Sequence, residues 1–214
     1  IGLLIPSIDN PYFATIASEI VFEAKRYGYT VILLDTLEDE GNESECINTL
    51  LTRSIDGIIL VPCGERPESL EKIDEQTPIV LIDRYFEDTS LSYICTDNYR
   101  GALDGVKLLI ENGHKEILCI RGVPHSMPSK ERVKGYIDAL RESGFDTRSR
   151  IAGNDYSITN GYLETKLAIG SPARPTAIFA LSNTIMLGAI RAIGESSLRI
   201  PDDVSILSFD NNLF

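Results

Sequence analysis

Polar and aromatic side chains recur just after the short apolar runs of this 214-residue chain. Asp9, Asn10, Tyr12 and Phe13 follow Ile1–Ile5. Asp83 and Arg84 follow Ile79–Ile82. After Ile117–Ile120 the chain passes through Arg121–Ser129, and Arg132 starts the next helical segment. Ser182 and Asn183 follow Ala177–Ala180, and Asp210 follows Val204–Phe209. The set Asn10, Tyr12, Phe13, Asp83, Arg84, Arg132, Asn183 and Asp210 suits a polyhydroxylated ligand. Each sugar hydroxyl both donates and accepts; carboxylates accept, a guanidinium donates in a fixed fork, and an amide does both. Aromatic faces cover the apolar faces of a sugar ring.

Each residue also has a structural reading. Phe13 continues a helical stripe of Phe13, Ile16, Ala17, Ile20, Val21 and Ala24, so core packing competes with ligand contact. Tyr12 suits the edge of the same core. Asp83 and Asp210 end strands, where Asp often makes a turn. Arg84 and Arg132 suit surface ion pairs, and Asn183 suits the cap of a helix starting at Thr184. Position argues for a site: the strand ends share one edge, and nearly every one delivers a hydrogen-bonding group. Enzyme signatures are missing. The sequence has no G-x-G-x-x-G after its first strand, no Walker A loop, no H-E-x-x-H and no G-x-S-x-G. Asp83 and Asp210 have no spacing that favours a glycosidase pair. Catalysis, a cofactor and a metal are therefore not expected.

The elements that must position these groups alternate. Apolar runs at Ile1–Ile5, Val31–Leu34, Ile58–Val61, Ile79–Ile82, Tyr93–Thr96, Ile117–Ile120, Ala177–Ala180 and Val204–Phe209 are mostly continuous, as strands covered on both faces should be. Between them lie segments of helical period, including Cys46–Leu51, Ala102–Ile110 with Asp97 as its cap and Gly113 as its stop, Val133–Leu140, and Ile185–Ile193. Ile151–Ile158 fits a weak strand running into a helix. Strand–helix–strand repetition means an α/β fold with parallel sheets and right-handed crossovers. Ligands of such sheets bind beyond the carboxyl ends of the strands. A boundary falls near Thr96/Asp97.

Acidic residues number 32 against 20 basic, a net charge of −12. This composition does not supply the basic surface that DNA requires. The stretch Glu38-Asp39-Glu40, with Glu43 and Glu45, fits a solvated loop and helix start. Cys46, Cys63, Cys95 and Cys119 form no C-x-x-C pair, and the expectation is buried free thiols in a reducing compartment. With His114 and His125 as the two histidines, a zinc site is not expected. No apolar run reaches membrane-spanning length.

Several stretches, in order, resemble the effector-binding domain of the LacI/GalR regulators. They are Ile1 to Tyr29, SIDGIILVP from Ser54, PIVLIDR from Pro78, TDNYRGA from Thr96, ENGHKEILCIRG from Glu111, ERVKGYIDALRESGF from Glu131, RPTAIFALSN from Arg174 and RIPDDVSILSFDN from Arg199. The resemblance implies a fold like that of periplasmic sugar-binding proteins: two Rossmann-like lobes, residues 1–96 and 97–214, joined by a hinge around a ligand cleft. It also implies that the fold is C-terminally incomplete here, and that a helix-turn-helix belongs before Ile1. In that family Asn10, Tyr12 and Phe13 match an amide and stacking aromatics, and Asp83 and Arg84 match a hydroxyl-binding pair. Arg132, Asn183 and Asp210 complete the pocket. Thr184 and Val61 depart from the pattern, where relatives carry Asp and a polar residue. The implied protein is a cytoplasmic homodimer. It binds a small sugar-like effector and controls operator binding allosterically, touching DNA through the helix-turn-helix alone. The alternatives are a periplasmic sugar-binding protein of a transporter and an enzyme acting on a sugar.

Overall fold

The computed structural model describes residues 1–64, 67–145 and 150–210. The chain divides into two compact units, Ile1–Thr96 and Asp97–Phe214. In the first unit β1 (Gly2–Ile5), β2 (Ile32–Asp35), β3 (Ile58–Leu60), β4 (Ile79–Ile82) and β5 (Ser92–Ile94) form a parallel sheet in the order β2-β1-β3-β4-β5. Its helices are α1 (Pro11–Arg26), α2 (Glu40–Leu51) and α3 (Glu68–Asp74). Successive strand residues point to opposite faces, and both faces are covered. Leu4, Leu60 and Leu81 join Ile47 and Leu50 of α2 on one side. Leu3 and Ile5 join Phe13 and Ala17 of α1 on the other. Burying one such aliphatic side chain is worth roughly 1.5–3 kcal/mol, so these two layers fix where α1 and α2 lie.

The second unit repeats the plan. Its strands β6 (Ile117–Ile120), β7 (Arg150–Ala152), β8 (Ala177–Ala180) and β9 (Ser205–Ser208) are parallel in the order β7-β6-β8-β9. Its helices are α4 (Asn98–Glu111), α5 (Met127–Glu142), α6 (Ile158–Ile169) and α7 (Asn183–Gly194). Cys119 and Phe179 pack with Ala102, Val106, Tyr136 and Ala139 of α4 and α5. Leu118, Ile120, Ile178 and Ala180 pack with Ile185, Ala189 and Ile193 of α7. Helices α6 and α7 approach closely through glycine. A Cβ on Gly161 would lie 2.1 Å from the Ile185 carbonyl oxygen, and one on Gly188 2.1 Å from that of Ile158. Asp97 caps α4, its side chain accepting from the Arg100 N–H. Among the described residues no helix is long and apolar enough to cross a membrane.

Several expectations need correction. Val21 does not belong to the buried stripe of α1: it is 46% exposed, and Phe13 and Ala17 carry the packing. Strand β5 lies at a sheet edge and its residues are exposed, so it is not covered on both faces. Cys95, just beyond it, is exposed rather than buried, while Cys119 is buried. Helix α3 was not foreseen, because seven residues led by Pro67 are too few to display a period. The ambiguous Ile151–Ile158 region resolves into β7 and the start of α6. The acidic stretch is not uniformly solvated: Glu43 is 5% exposed, and Glu38 pairs with Arg84.

Candidate functional site

In each sheet two neighbouring strands lead their chains off in opposite directions, β1 and β3 in the first unit and β6 and β8 in the second. Open parallel sheets bind ligands outside the carboxyl ends of the strands at such points. Those ends are where the candidate side chains stand.

In the first unit Asn10 caps α1, its side-chain oxygen accepting from the Tyr12 N–H at 3.1 Å. The cap, with Pro11 in the first turn, fixes the start of the helix and so the place of the aromatics that follow. Tyr12 Oη donates to Asp83 Oδ1 at 2.8 Å. Residues 71 positions apart in sequence thus meet at one sheet edge. Asp83 ends β4 with φ +65°, and the Arg84 N–H closes a three-residue turn on the Ile82 carbonyl at 2.7 Å. Left-handed backbone at a non-glycine residue is uncommon and tends to gather at ligand sites. Phe13 packs in the core, 5% exposed, edge-on to Tyr12 with ring centroids 5.1 Å apart. Of its two readings, the packing one describes its surroundings.

Arg84 is 6% exposed and its guanidinium is held within the unit. It makes a bidentate pair with Glu38, donates to the Pro62 carbonyl at 3.3 Å and lies 3.9 Å from Asp83 Oδ2. Beside this pair, Glu43 Oε2 accepts from the Cys63 N–H at 2.7 Å, and Cys63 Sγ lies 3.0 Å from Thr36 Oγ1. Burial raises the Glu43 carboxyl above the ordinary carboxylate range, an effect opposed by the Cys63 hydrogen bonds. Burial also pushes the Cys63 thiol up to about 12, so it stays a neutral hydrogen-bonding group. This buried polar cluster braces the carboxyl ends of β2, β3 and β4. The sequence signalled it only through an acidic run that looked solvated.

In the second unit Arg132 is 5% exposed. Its Nε donates to Asn98 Oδ1 at 2.8 Å, its Nη1 donates to the Leu181 carbonyl, and its Cζ lies 3.9 Å from the Phe209 ring centroid. Among the described residues the remaining terminal nitrogen makes no hydrogen bond. A guanidinium pinned on three sides with one nitrogen unengaged is pre-organised to donate. Asn183 is 1% exposed; its Oδ1 accepts from the Thr184 N–H at 2.6 Å, and its Nδ2 is buried without a partner. The cap of α7 is Ser182, whose side chain accepts from the Ile185 N–H, and the helix begins at Asn183 rather than Thr184. A buried amide donor left unmet costs about 1–3 kcal/mol, and it stands two residues after Leu181, whose carbonyl accepts from Arg132. Thr184 turns its hydroxyl onto the Tyr156 carbonyl and so serves the fold. Asp210 ends β9 with φ +68°, the conformation Asp83 adopts at the end of β4. Asn98 and Phe209, which hold Arg132, were missed in the sequence. Each sits directly beside a residue that was singled out, Asp97 and Asp210.

Comparisons with known proteins show the family to which this fold belongs. The family model for periplasmic binding proteins and the sugar binding domain of the LacI family matches residues 1–212. The chain is 33% identical over 214 residues to the HTH-type transcriptional repressor CytR of Escherichia coli (strain K12), covering 98% of this chain and 62% of that protein. It is 31% identical to catabolite control protein A of Priestia megaterium, covering 99% of this chain and 64% of the relative. It therefore spans less than two thirds of the length of either. Among solved structures it is similar to a sugar-binding transcriptional regulator of the LacI family from Escherichia coli complexed with phosphate. That match has a TM-score of 0.83 at 25% identity, and covers 99% of this chain and 78% of the other.

Proposed function

We propose a sensor role for this chain, which belongs to the family of periplasmic binding proteins and LacI-type sugar binding domains. In this reading it is the ligand-sensing part of a cytoplasmic, homodimeric transcription regulator. A small hydroxyl-rich effector exchanges hydrogen bonds with the polar groups at the carboxyl edge of the second unit's sheet, where Arg132 and Asn183 donate and Asp210 accepts. In the first unit Tyr12 and Asp83 form a corresponding polar group at the edge of its own sheet. The effector acts only through its differential affinity for two conformations of the regulator, and the shift changes operator binding through a helix-turn-helix segment.

The observation that carries this reading is the Arg132 constellation, a buried cation held by Asn98, Leu181 and Phe209, together with the unmet buried amide of Asn183 at the start of α7. A ligand rich in acceptors would satisfy the unmet amide and use a guanidinium already held in place. The relatives named above are a repressor and regulators, which favours sensing over the transporter alternative. No reaction is assigned to the site.

Isothermal titration calorimetry of the chain against pentoses, hexoses, disaccharides and purines tests the proposal. Saturable heat with at least one member is expected. Silence across the whole panel from folded protein overturns the assignment.

A further inference from the structure

A hollow of about 420 Å³ lies along α5, and its described lining residues belong to the second unit. It is cationic in a chain of net charge −12. Arg121, Lys130, Lys134 and Arg141 border it, against one carboxylate among the described lining residues, Asp138. That carboxylate is already engaged: Oδ1 accepts from Arg141 at 2.5 Å and Oδ2 from the Tyr99 hydroxyl at 3.2 Å. Arg121 donates its Nε to the Gly153 carbonyl at 3.0 Å, and Lys134 stands 5.3 Å from the Tyr99 ring centroid. Among the described residues Arg121, Lys130 and Lys134 form no ion pair. Acidic partners are plentiful in this chain, so three uncompensated cations around one concavity need a reason.

A second, independent observation comes from Ser129. It lines the same hollow, is 1% exposed, and its Oγ is buried without a hydrogen-bond partner. A hydroxyl deprived of water in a structure is normally satisfied. Ser129 borders a space ringed by positive charge, and rotation of its side chain toward that space would give the unmet hydroxyl an acceptor carrying negative charge. Arg132 is not among the lining residues, so the hollow is separate from the candidate effector site.

We propose that this hollow binds the phosphate group of a small phosphorylated metabolite. Ser129 Oγ donates to one phosphate oxygen, and Lys130, Lys134 and Arg121 supply the compensating charge. A dianionic group with several strong acceptors matches a ring of cations and a hydroxyl better than a single carboxylate does. A volume in the range of small-molecule sites favours a free metabolite over a phosphorylated protein, and Val133 and Ile137 offer its carbon skeleton an apolar wall.

The test is titration of the isotopically labelled chain with inorganic phosphate and with glucose 6-phosphate, followed by amide chemical shifts. Sodium chloride at matched ionic strength is the control. Saturable shifts at Ser129, Lys130 and Lys134 are expected with both phosphates and not with chloride. The double variant Lys130→Glu, Lys134→Glu should weaken binding about tenfold or more. Both side chains are exposed, so the fold should survive. Ser129→Ala should weaken binding about threefold, and Arg132→Ala should leave it unchanged. Three results overturn the proposal: no saturable shift, equal shifts in chloride, or shifts centred on Arg132 and abolished by Arg132→Ala. The last would assign the anion to the effector site and leave the sensor reading standing. Loss of sugar binding in the calorimetric panel would leave the phosphate result untouched.

Discussion

The guanidinium of Arg132 lies over the Phe209 ring, its Cζ 3.9 Å from the centroid, while Asn98 holds its Nε at 2.8 Å. This geometry predicts that charge alone is not enough. Arg132→Ala should weaken binding of whichever sugar titrates by about tenfold or more, and Arg132→Lys should lose nearly as much. A lysine reproduces neither the broad contact over the Phe209 ring nor the fixed fork that bonds Asn98 and Leu181 together. Phe209→Leu keeps apolar bulk but removes the π face, and should cost about threefold to fivefold. Calorimetry on the three variants decides; unchanged affinity in Arg132→Ala removes Arg132 from the site.

The pair between Arg84 and Glu38 is lopsided, with the arginine side chain 7% exposed and the glutamate 39%. Removing Glu38 takes the bidentate carboxylate away from a buried cation. Removing Arg84 leaves a carboxylate that can turn to water. Glu38→Ala should therefore destabilise the chain more than Arg84→Met, by about 1 kcal/mol. Urea denaturation of both variants measures the difference. The reverse order would mean that Arg84 is held chiefly by Pro62 and Asp83.

Glu43 makes a pH-dependent contribution whose sign follows from its surroundings. Burial raises its carboxyl above the ordinary 4.5, so the folded chain keeps this proton to higher pH than the unfolded chain does. Stability from this group is greatest in acid and falls as pH rises from 4.5 through the raised native value. Glu43→Gln retains an oxygen for the Cys63 N–H and has no proton to lose. Its stability relative to the parent should therefore be least favourable in acid and improve with pH across that window, then level off. Denaturation midpoints over roughly pH 4 to 7 test this, and a pH-independent difference would contradict it.

Much of this was legible in the sequence, because continuous apolar runs and helical periods are local signals. All of the apolar runs named at the outset lie in or against strands of the two parallel sheets. The Asp97 cap was also visible, being a local pattern of side chain and following backbone. What stayed hidden depends on long-range partners. The same residue type, Glu, is exposed at position 45 and buried at position 43, and only the return of β3 with the Cys63 N–H separates them. Arg84 turns inward because Glu38, 46 residues earlier, meets it there. Asn98 and Phe209 matter through Arg132, which neither neighbours in sequence.

Asp83 combines two constraints that substitution can separate. Its carboxylate accepts from Tyr12 at 2.8 Å, and its backbone sits at φ +65°. Alanine and glycine both delete the carboxylate, so both should lose the Tyr12 contact and the same ligand hydrogen bonds. Only glycine takes left-handed backbone without a Cβ penalty. Asp83→Ala should therefore be less stable than Asp83→Gly by about 1 kcal/mol, part of the glycine advantage being offset by its greater unfolded-state entropy. Effector affinity should fall in both by a similar factor. Equilibrium denaturation and calorimetry on the same two proteins provide both readouts. If alanine proves the more stable, the turn after β4 tolerates a Cβ and backbone strain plays no part there. If affinity separates the two variants as well, the shape of the turn, and not the carboxylate alone, positions the ligand.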